Sequence, residues 1–254
     1  MTTASKPART LADIAAAIHQ FQYHDVSPTY RPDLPLFFPM PHIEVSSIAE
    51  RGPDVGISVA ANTWTLPEHS GSHVDAPYHF VSGGQHVDEL PIDALFFRPF
   101  KKFDLTPEDP QPGEPVNREQ LIAAATRGGF SLEPGDVAVV DFGWDRYLPG
   151  GAAGKDESWW GLNEPGLTDD ACEYLATAGI SAVACDTSAC DFSFRNGEMT
   201  GGPGHTQWFL PRGILIVEGL TGLAEVPATG IFVALPLKLA NGTGSPLRVL
   251  LLTE

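Results

Sequence analysis

Apolar residues recur at Leu11, Ile14, Ile18 and Phe21 behind Thr10, the spacing of one helix face with a hydroxyl placed to cap it, so a helix is expected over 10–21. The next stretch, 25–41, carries prolines at 28, 32, 35, 39 and 41 and is expected to run extended and irregular, a segment able to wall a site. A second helix is expected over 117–126, where Asn117 and Gln120 make a capping-box pair, and an apolar strand over 136–142 after Pro134-Gly135. Residues 143–166 read as a long loop rich in Gly and Trp, which makes Trp144, Trp159 and Trp160 pocket candidates. A third helix, 168–178, stops at Gly179 and feeds a strand over 180–185. Apolar runs at 214–217, 231–235 and 247–252, separated by Gly and Pro turns, complete the strands. Helix followed by strand recurs, so the pattern predicts an α/β or α+β chain with helices packed on a sheet. With no repeat, low-complexity tract or linker, one domain is expected across 1–254, with 1–23 as a helical N-terminal extension.

Composition then narrows the partners. With 43% hydrophobic and 19% charged residues the chain can bury a sizeable core, and no apolar run approaches the ~18–20 residues of a membrane span. A formal charge of −17 repels phosphate backbones and anionic membranes, so neither nucleic acid nor membrane is an expected partner. Three cysteines, Cys172, Cys185 and Cys190, form no C-x-x-C pair, and the polar segment before residue 10 lacks the apolar core of a signal peptide. Both facts fit a reducing cytoplasm, with the cysteines as small buried hydrophobes.

The candidate chemistry is concentrated between residues 69 and 79, where His69, His73, Asp75 and His79 stand within eleven positions. Gly71, Val74 and Pro77 disfavour helix there. On an extended chain His69, His73 and Asp75 point to one side, and Gly71 leaves the space between them open. Two imidazoles and a carboxylate suit Zn²⁺ or Mn²⁺ with positions left for water or substrate. His79, beyond the turn that Pro77 imposes, is available to move protons. Further along, His205 follows a Gly-Gly-Pro-Gly loop that can bring backbone close to another element, and Glu218 closes the apolar strand that begins near Gly213. Asp186 is expected to orient a ligand or hold a strand end by hydrogen bonds.

The run His69-x-Gly71-Ser72-His73-x-Asp75-x-Pro77-x-His79 resembles the H-x-G-T-H-x-D-x-P-x-H signature of the cyclase family of metal-dependent hydrolases, which includes bacterial kynurenine formamidase and isatin hydrolase. Asp25-Val26-Ser27, Cys185-Asp186-Thr187-Ser188, Val217-Glu218-Gly219-Leu220, the segment from Ala234 to Lys238 and that from Gly244 to Arg248 extend the resemblance over residues 24–252. It implies a swivelling β/β/α-type mixed sheet with flanking helices and a homo-oligomer, a dimer or tetramer. It also implies that His69, His73 and Asp75 bind a first metal, that a second shares Asp75 and uses His205 and Glu218, and that His79 donates and accepts protons. One or two Zn²⁺ or Mn²⁺ ions per chain follow.

Three departures from the family pattern bear on the reading. Ser72 replaces the usual Thr and keeps the hydroxyl. His205 and Glu218 stand one residue further apart than in the formamidases, which a loop around Pro211 can absorb. Phe38 takes the place of a substrate-stacking Trp, which points away from N-formylkynurenine itself. Phe37, Phe38, Trp64 and Trp208 are the aromatic residues expected to contact substrate. The expected function is hydrolysis of a small aromatic or cyclic amide by a metal-activated water, with His79 shuttling the proton. The alternatives are a lactone hydrolase on the same site and a catalytically silent metal-binding member of the family.

Overall fold

In the computed structural model, which describes residues 10–37, 39–49, 60–195, 198–199 and 201–254, the chain opens with helix α1 (Leu11–Ile18) and strand β1 (Gln22–Asp25). A hairpin of β2 (Glu44–Ala49) and β3 (Ala61–Thr65), the short β4 (His73–Asp75) and the long β5 (Phe96–Asp104) follow. Next come β6 (Pro115–Val116), α2 (Arg118–Gly128), β7 (Val137–Asp141), α3 (Glu157–Leu162), β8 (Gly166–Leu167), α4 (Asp169–Thr177) and β9 (Ala182–Cys185). The last elements are β10 (Phe194–Arg195), β11 (Glu198–Met199), β12 (Leu215–Glu218), β13 (Thr229–Val233), β14 (Gly244–Pro246) and β15 (Leu250–Thr253).

Nine of these strands form one mixed sheet in the order β1-β15-β13-β5-β7-β9-β12-β4-β14. The central run β5-β7-β9-β12 is parallel, and the pairs outside it are antiparallel. Of these, β7, β9 and β12 are buried along their whole length, covered on both faces, which is why they read as continuous apolar runs rather than as alternation. Val137, Val139, Ala182, Ala184, Leu215 and Val217 enter one core, while Ala138, Val140, Val183, Cys185 and Ile216 enter the other. The second core is closed by Leu121 and Ala124 of α2 and by Cys172 and Leu175 of α4. At about 1.5–3 kcal/mol per buried Val, Leu or Ile side chain, these two cores make β9 and β12 a rigid base for β4. The class is mixed α/β with a large curled sheet and few flanking helices, as expected.

The departures from the sequence reading have local causes. Helix α1 carries the Thr10 cap, with a reciprocal bond to Asp13, but stops at Ile18 and buries none of its residues. The region 143–166 is not loop throughout, because Asp156 caps the short helix α3 by accepting from Trp159 N–H at 2.9 Å. Strand β5 escaped pattern reading because charge interrupts it. Its Lys102 is nevertheless buried, with Nζ donating to Leu223 O at 2.7 Å and lying 3.4 Å from Asp141. The β2–β3 pair mixes polar and apolar residues, and most of its described side chains are exposed.

Candidate metal centre

Register explains how distant residues meet. Strand β4 lies antiparallel to β12, so His73 faces Glu218 across the ladder and Asp75 faces Ile216. Period two then puts His73 and Asp75 on one face of β4. His69 joins them differently from the expected extended run, because the chain turns at Gly71, where φ is +54°. Tyr30 Oη lies 2.7 Å from Ser70 O and 2.5 Å from Ser72 O and so pins that turn. Gly219, with φ +70°, packs against it so closely that a Cβ there would lie 2.2 Å from Gly71 O. His205 comes from a single π-helical turn, Gly204–Trp208, closed by Phe209 N–H to Gly204 O at 2.8 Å. The preceding glycines allow the approach anticipated for them, since a Cβ on Gly202 would lie 2.3 Å from Asp191 Oδ1.

The buried side chains His69, His73, Asp75, His205 and Glu218 converge. Asp75 Oδ1 lies 2.6 Å from His69 Nδ1 and 3.5 Å from His73 Nε2, and Asp75 Oδ2 lies 3.3 Å from His205 Nε2. Glu218 reaches His73 Nε2 and His205 Nε2, each at 3.5 Å. His69, His73 and Asp75 offer ligand atoms within 4.8 Å of one another, as do Asp75, His205 and Glu218, so Asp75 is common to both groups. Cys190, Asp191 and His205 also fall within that distance, but burial pushes the Cys190 thiol well up and Asp191 already accepts from His205.

Outer contacts aim these rings inward. His205 Nδ1 lies 2.9 Å from an Asp191 oxygen that also accepts the His205 main-chain N–H, and His73 Nδ1 lies 2.9 Å from Gly71 O. A ring that donates outward at one nitrogen presents a lone pair inward at the other. Cys190 N–H donates to Glu218 Oε1 at 2.8 Å.

Charge tells the same story. Burial alone would lower His73, but Asp75 and Glu218 outweigh it and raise its pKa to about 10. Burial likewise opposes charging His205, yet Asp191 and Asp75 lift it well above the ordinary range. Asp75, despite burial, is held well below the usual carboxylate range by His205, His69 and His73. The pocket thus demands positive charge between its carboxylates, and Asp75 Oδ2 is buried without a hydrogen bond in ideal geometry. An orphaned buried carboxylate oxygen ringed by imidazole nitrogens fits a divalent cation.

His79 stacks on His69, with centroids 3.9 Å apart and planes at 25°, and it stands 6.4 Å from the His205 ring. Burial drives its pKa down to about 4, so its imidazole is neutral at pH 7. A cavity of about 250 Å³ opens above this cluster, walled by Phe37, Pro39, Met40, Phe80 and Ala189, with Ser188 beside them.

The aromatic candidates scatter. Phe37 lines the cavity, and Phe38 lies outside the described residues. Trp64 does not join the site; it is exposed on β3 and faces a separate groove with Tyr30 and Leu237. Trp208 is directed away, with Nε1 donating to Asp169 at 2.9 Å and Arg212 stacked over its ring. Trp144 and Trp159 stack on each other in the core, 5.6 Å apart, because their apolar area is worth more there than at a pocket wall. Trp160 is also buried in that core, where it borders a small side cavity.

Asp191, behind His205, and Glu164, behind Ser188 in the cavity wall, are buried partners that the sequence reading missed, since each acts across a fold-dependent distance with no local motif. Asp186 holds a strand end as expected, accepting from Phe142 N–H at 2.9 Å and Trp144 N–H at 2.5 Å. Glu164 accepts from Ser188 N–H at 2.7 Å and lies 3.0 Å from Ser188 Oγ, and burial raises its pKa well above the ordinary value. Below the unfolded carboxyl's pKa of ~4.3 both states keep that proton; above it, the unfolded state ionises first and the buried acid costs stability. Glu164→Gln is therefore expected to melt higher than the parent at pH 7–8 and to lose that advantage toward pH 4. Each kcal/mol gained raises the midpoint by about 2–4 °C. Melting curves across that range check it, and an advantage that grows toward acid pH contradicts it.

Comparison with known proteins agrees with this architecture. The sequence model of the family described as "Putative cyclase" matches residues 14–192. An isatin hydrolase from Roseibium aggregatum is 31% identical over 218 residues, covering 84% of this chain and 81% of the relative. A kynurenine formamidase from Salinibacter ruber is 31% identical over 195 residues, 76% of this chain and 80% of the relative. The crystal structure of an isatin hydrolase bound to the product analogue thioisatinate superposes with a TM-score of 0.81 at 28% identity, covering 96% of this chain and 97% of that one.

Proposed function

The chain belongs to the cyclase family, and from that premise we propose that it is a metal-dependent amidohydrolase acting on a small aromatic or cyclic amide. The observation that carries the reading is the sharing of Asp75 by two three-residue donor groups, with His79 stacked on one of their imidazoles. In this reading His69, His73 and Asp75 hold one Zn²⁺ or Mn²⁺ ion, and Asp75, His205 and Glu218 hold a second. Bound there, the ions would lower the pKa of a water toward ~7 and polarise the scissile carbonyl.

The chain's own residues do the rest. His79, neutral at pH 7, takes the proton of the attacking water and returns it to the leaving nitrogen, which must be protonated before the C–N bond breaks. Phe37 and Phe80 offer apolar surface to a flat ring, and the wall they share with Pro39 and Met40 excludes bulk water. The activities for which the relatives are named, isatin hydrolase and kynurenine formamidase, support an amide carbonyl beside an aromatic ring as the point of attack.

Exposed Val45, Ile48 and Trp64 on the hairpin, with Leu235 and Leu237 also exposed, support a homodimer or homotetramer. Three unpaired buried cysteines support a cytoplasmic setting, and no helix among the described residues is long and apolar enough to cross a membrane.

The deciding experiment is an assay of metal-loaded protein against isatins, formanilides, cyclic imides and lactones. Turnover of the amides carries the proposal; turnover of lactones alone replaces it with ester chemistry on the same groups, and no turnover with full metal content leaves a silent binding protein. Activity of apo protein titrated with Zn²⁺ or Mn²⁺ is expected to saturate near two ions per chain, and Glu218→Gln to bring that to one. Full activity at one ion, unchanged by Glu218→Gln, reduces Glu218 to a structural role.

A further inference from the structure

His69 differs from the other two converging imidazoles in what stands behind it. His73 is backed by a main-chain carbonyl and His205 by a buried carboxylate, both of which only accept. Behind His69 is a hydroxyl: His69 Nε2 lies 2.9 Å from Thr243 Oγ1. A hydroxyl can accept from Nε2–H or donate to Nε2, and the two arrangements favour opposite tautomers. Something must decide between them.

Glu68 is in place to do so. Thr243 Oγ1 donates to Glu68 Oε2 at 2.5 Å, and the Thr243 main-chain N–H donates to the same oxygen at 2.9 Å. Those two bonds commit the Thr243 proton to the carboxylate, so the oxygen has only a lone pair to offer His69. Thr243 itself is anchored beside the centre, because its carbonyl accepts from Ala76 N–H at 2.9 Å, one residue past Asp75.

We propose that Glu68 and Thr243 are positioning residues that keep a proton on His69 Nε2, so that Nδ1, which shares a proton with Asp75 at 2.6 Å in the metal-free protein, is the nitrogen that gives up its proton to bind metal. This rests on the reading of His69 as a ligand. With Glu68 removed, the Thr243 hydroxyl is free to turn and donate to Nε2, which favours the tautomer protonated on Nδ1 and closed to the ion.

The test is Zn²⁺ affinity by chelator competition in the parent, Glu68→Ala, Thr243→Val and Thr243→Ser, with the ring ¹⁵N–¹H signals of the zinc-loaded proteins recorded alongside. Glu68→Ala and Thr243→Val are expected to bind Zn²⁺ ~10–100-fold more weakly, the usual worth of an outer partner to a ligating histidine. Both should lose the slowly exchanging His69 Nε2–H signal, while Thr243→Ser keeps affinity and signal near the parent. Glu68→Ala combined with Thr243→Val should be no weaker than Thr243→Val alone, because no hydroxyl remains to be oriented.

Parent-like affinity in both Glu68→Ala and Thr243→Val overturns the relay, as does additivity in the double variant. If Glu68→Ala fails to fold, the contrast between Thr243→Val and Thr243→Ser decides the matter, and equal affinity in those two overturns it. Absence of Zn²⁺ binding by the parent instead overturns the metal reading itself and the relay with it.

Discussion

Asp75→Asn is expected to abolish measurable hydrolysis and to leave the protein without either ion. The substitution preserves size while it removes the charge and turns one acceptor oxygen into a donor. Asp75 contacts His69, His73 and His205 through its two oxygens and is the one member common to both donor groups. An amide there turns a donor toward nitrogen atoms that the proposed metal reading needs free, and it leaves His73 with only Glu218, and His205 with only Asp191 and Glu218, to balance their charge. Elemental analysis after gentle purification, with circular dichroism to confirm folding, reads the outcome. A folded Asp75→Asn protein that retains two ions removes Asp75 as the shared ligand of the proposed reading. Folded, metal-free protein that remains fully active removes metal chemistry altogether.

His79→Ala is expected to keep its metal and to lose about two to four orders of magnitude in turnover, the common worth of general acid–base catalysis. The separation of roles comes from geometry. His79 is in neither donor group around Asp75, and it meets His69 face to face rather than through a nitrogen. Its burial keeps the ring neutral, as a base at pH 7 must be. Turnover and metal content measured on the same preparation check both halves. Loss of metal in His79→Ala makes His79 a ligand, and unchanged turnover removes it from proton transfer.

Much of the site was legible because local spacing carried it. His73 and Asp75 are two apart on a strand and therefore share a face in any register, and Pro77 sets the short turn that lifts His79 out of the strand. His69 was placed with them for a reason the fold replaced: the positive φ at Gly71, rather than an unbroken extended run, brings it back over Asp75. The aromatic residues were read with less success. An indole is equally at home in a core, a pocket or an exposed groove, and nothing in the neighbouring sequence distinguishes Trp144 in the core from Phe37 in the cavity wall.

By itself, then, the sequence determined the class of fold, the central apolar strands, the helix caps at Thr10 and Asn117, and a cluster of donors suited to a divalent ion. Those features depend on neighbours a few positions away, where backbone period and side-chain chemistry are sufficient. The family resemblance named His205 and Glu218, but tertiary structure alone decided how they reach the centre and which outer partners hold them. The β4–β12 register sets Glu218 opposite His73, the π-helical turn delivers His205 to Asp191, and the segment before β14 brings Thr243 to His69. These contacts join residues 14 to 174 positions apart, and no local pattern encodes a pairing that exists only once the two cores have closed around the sheet.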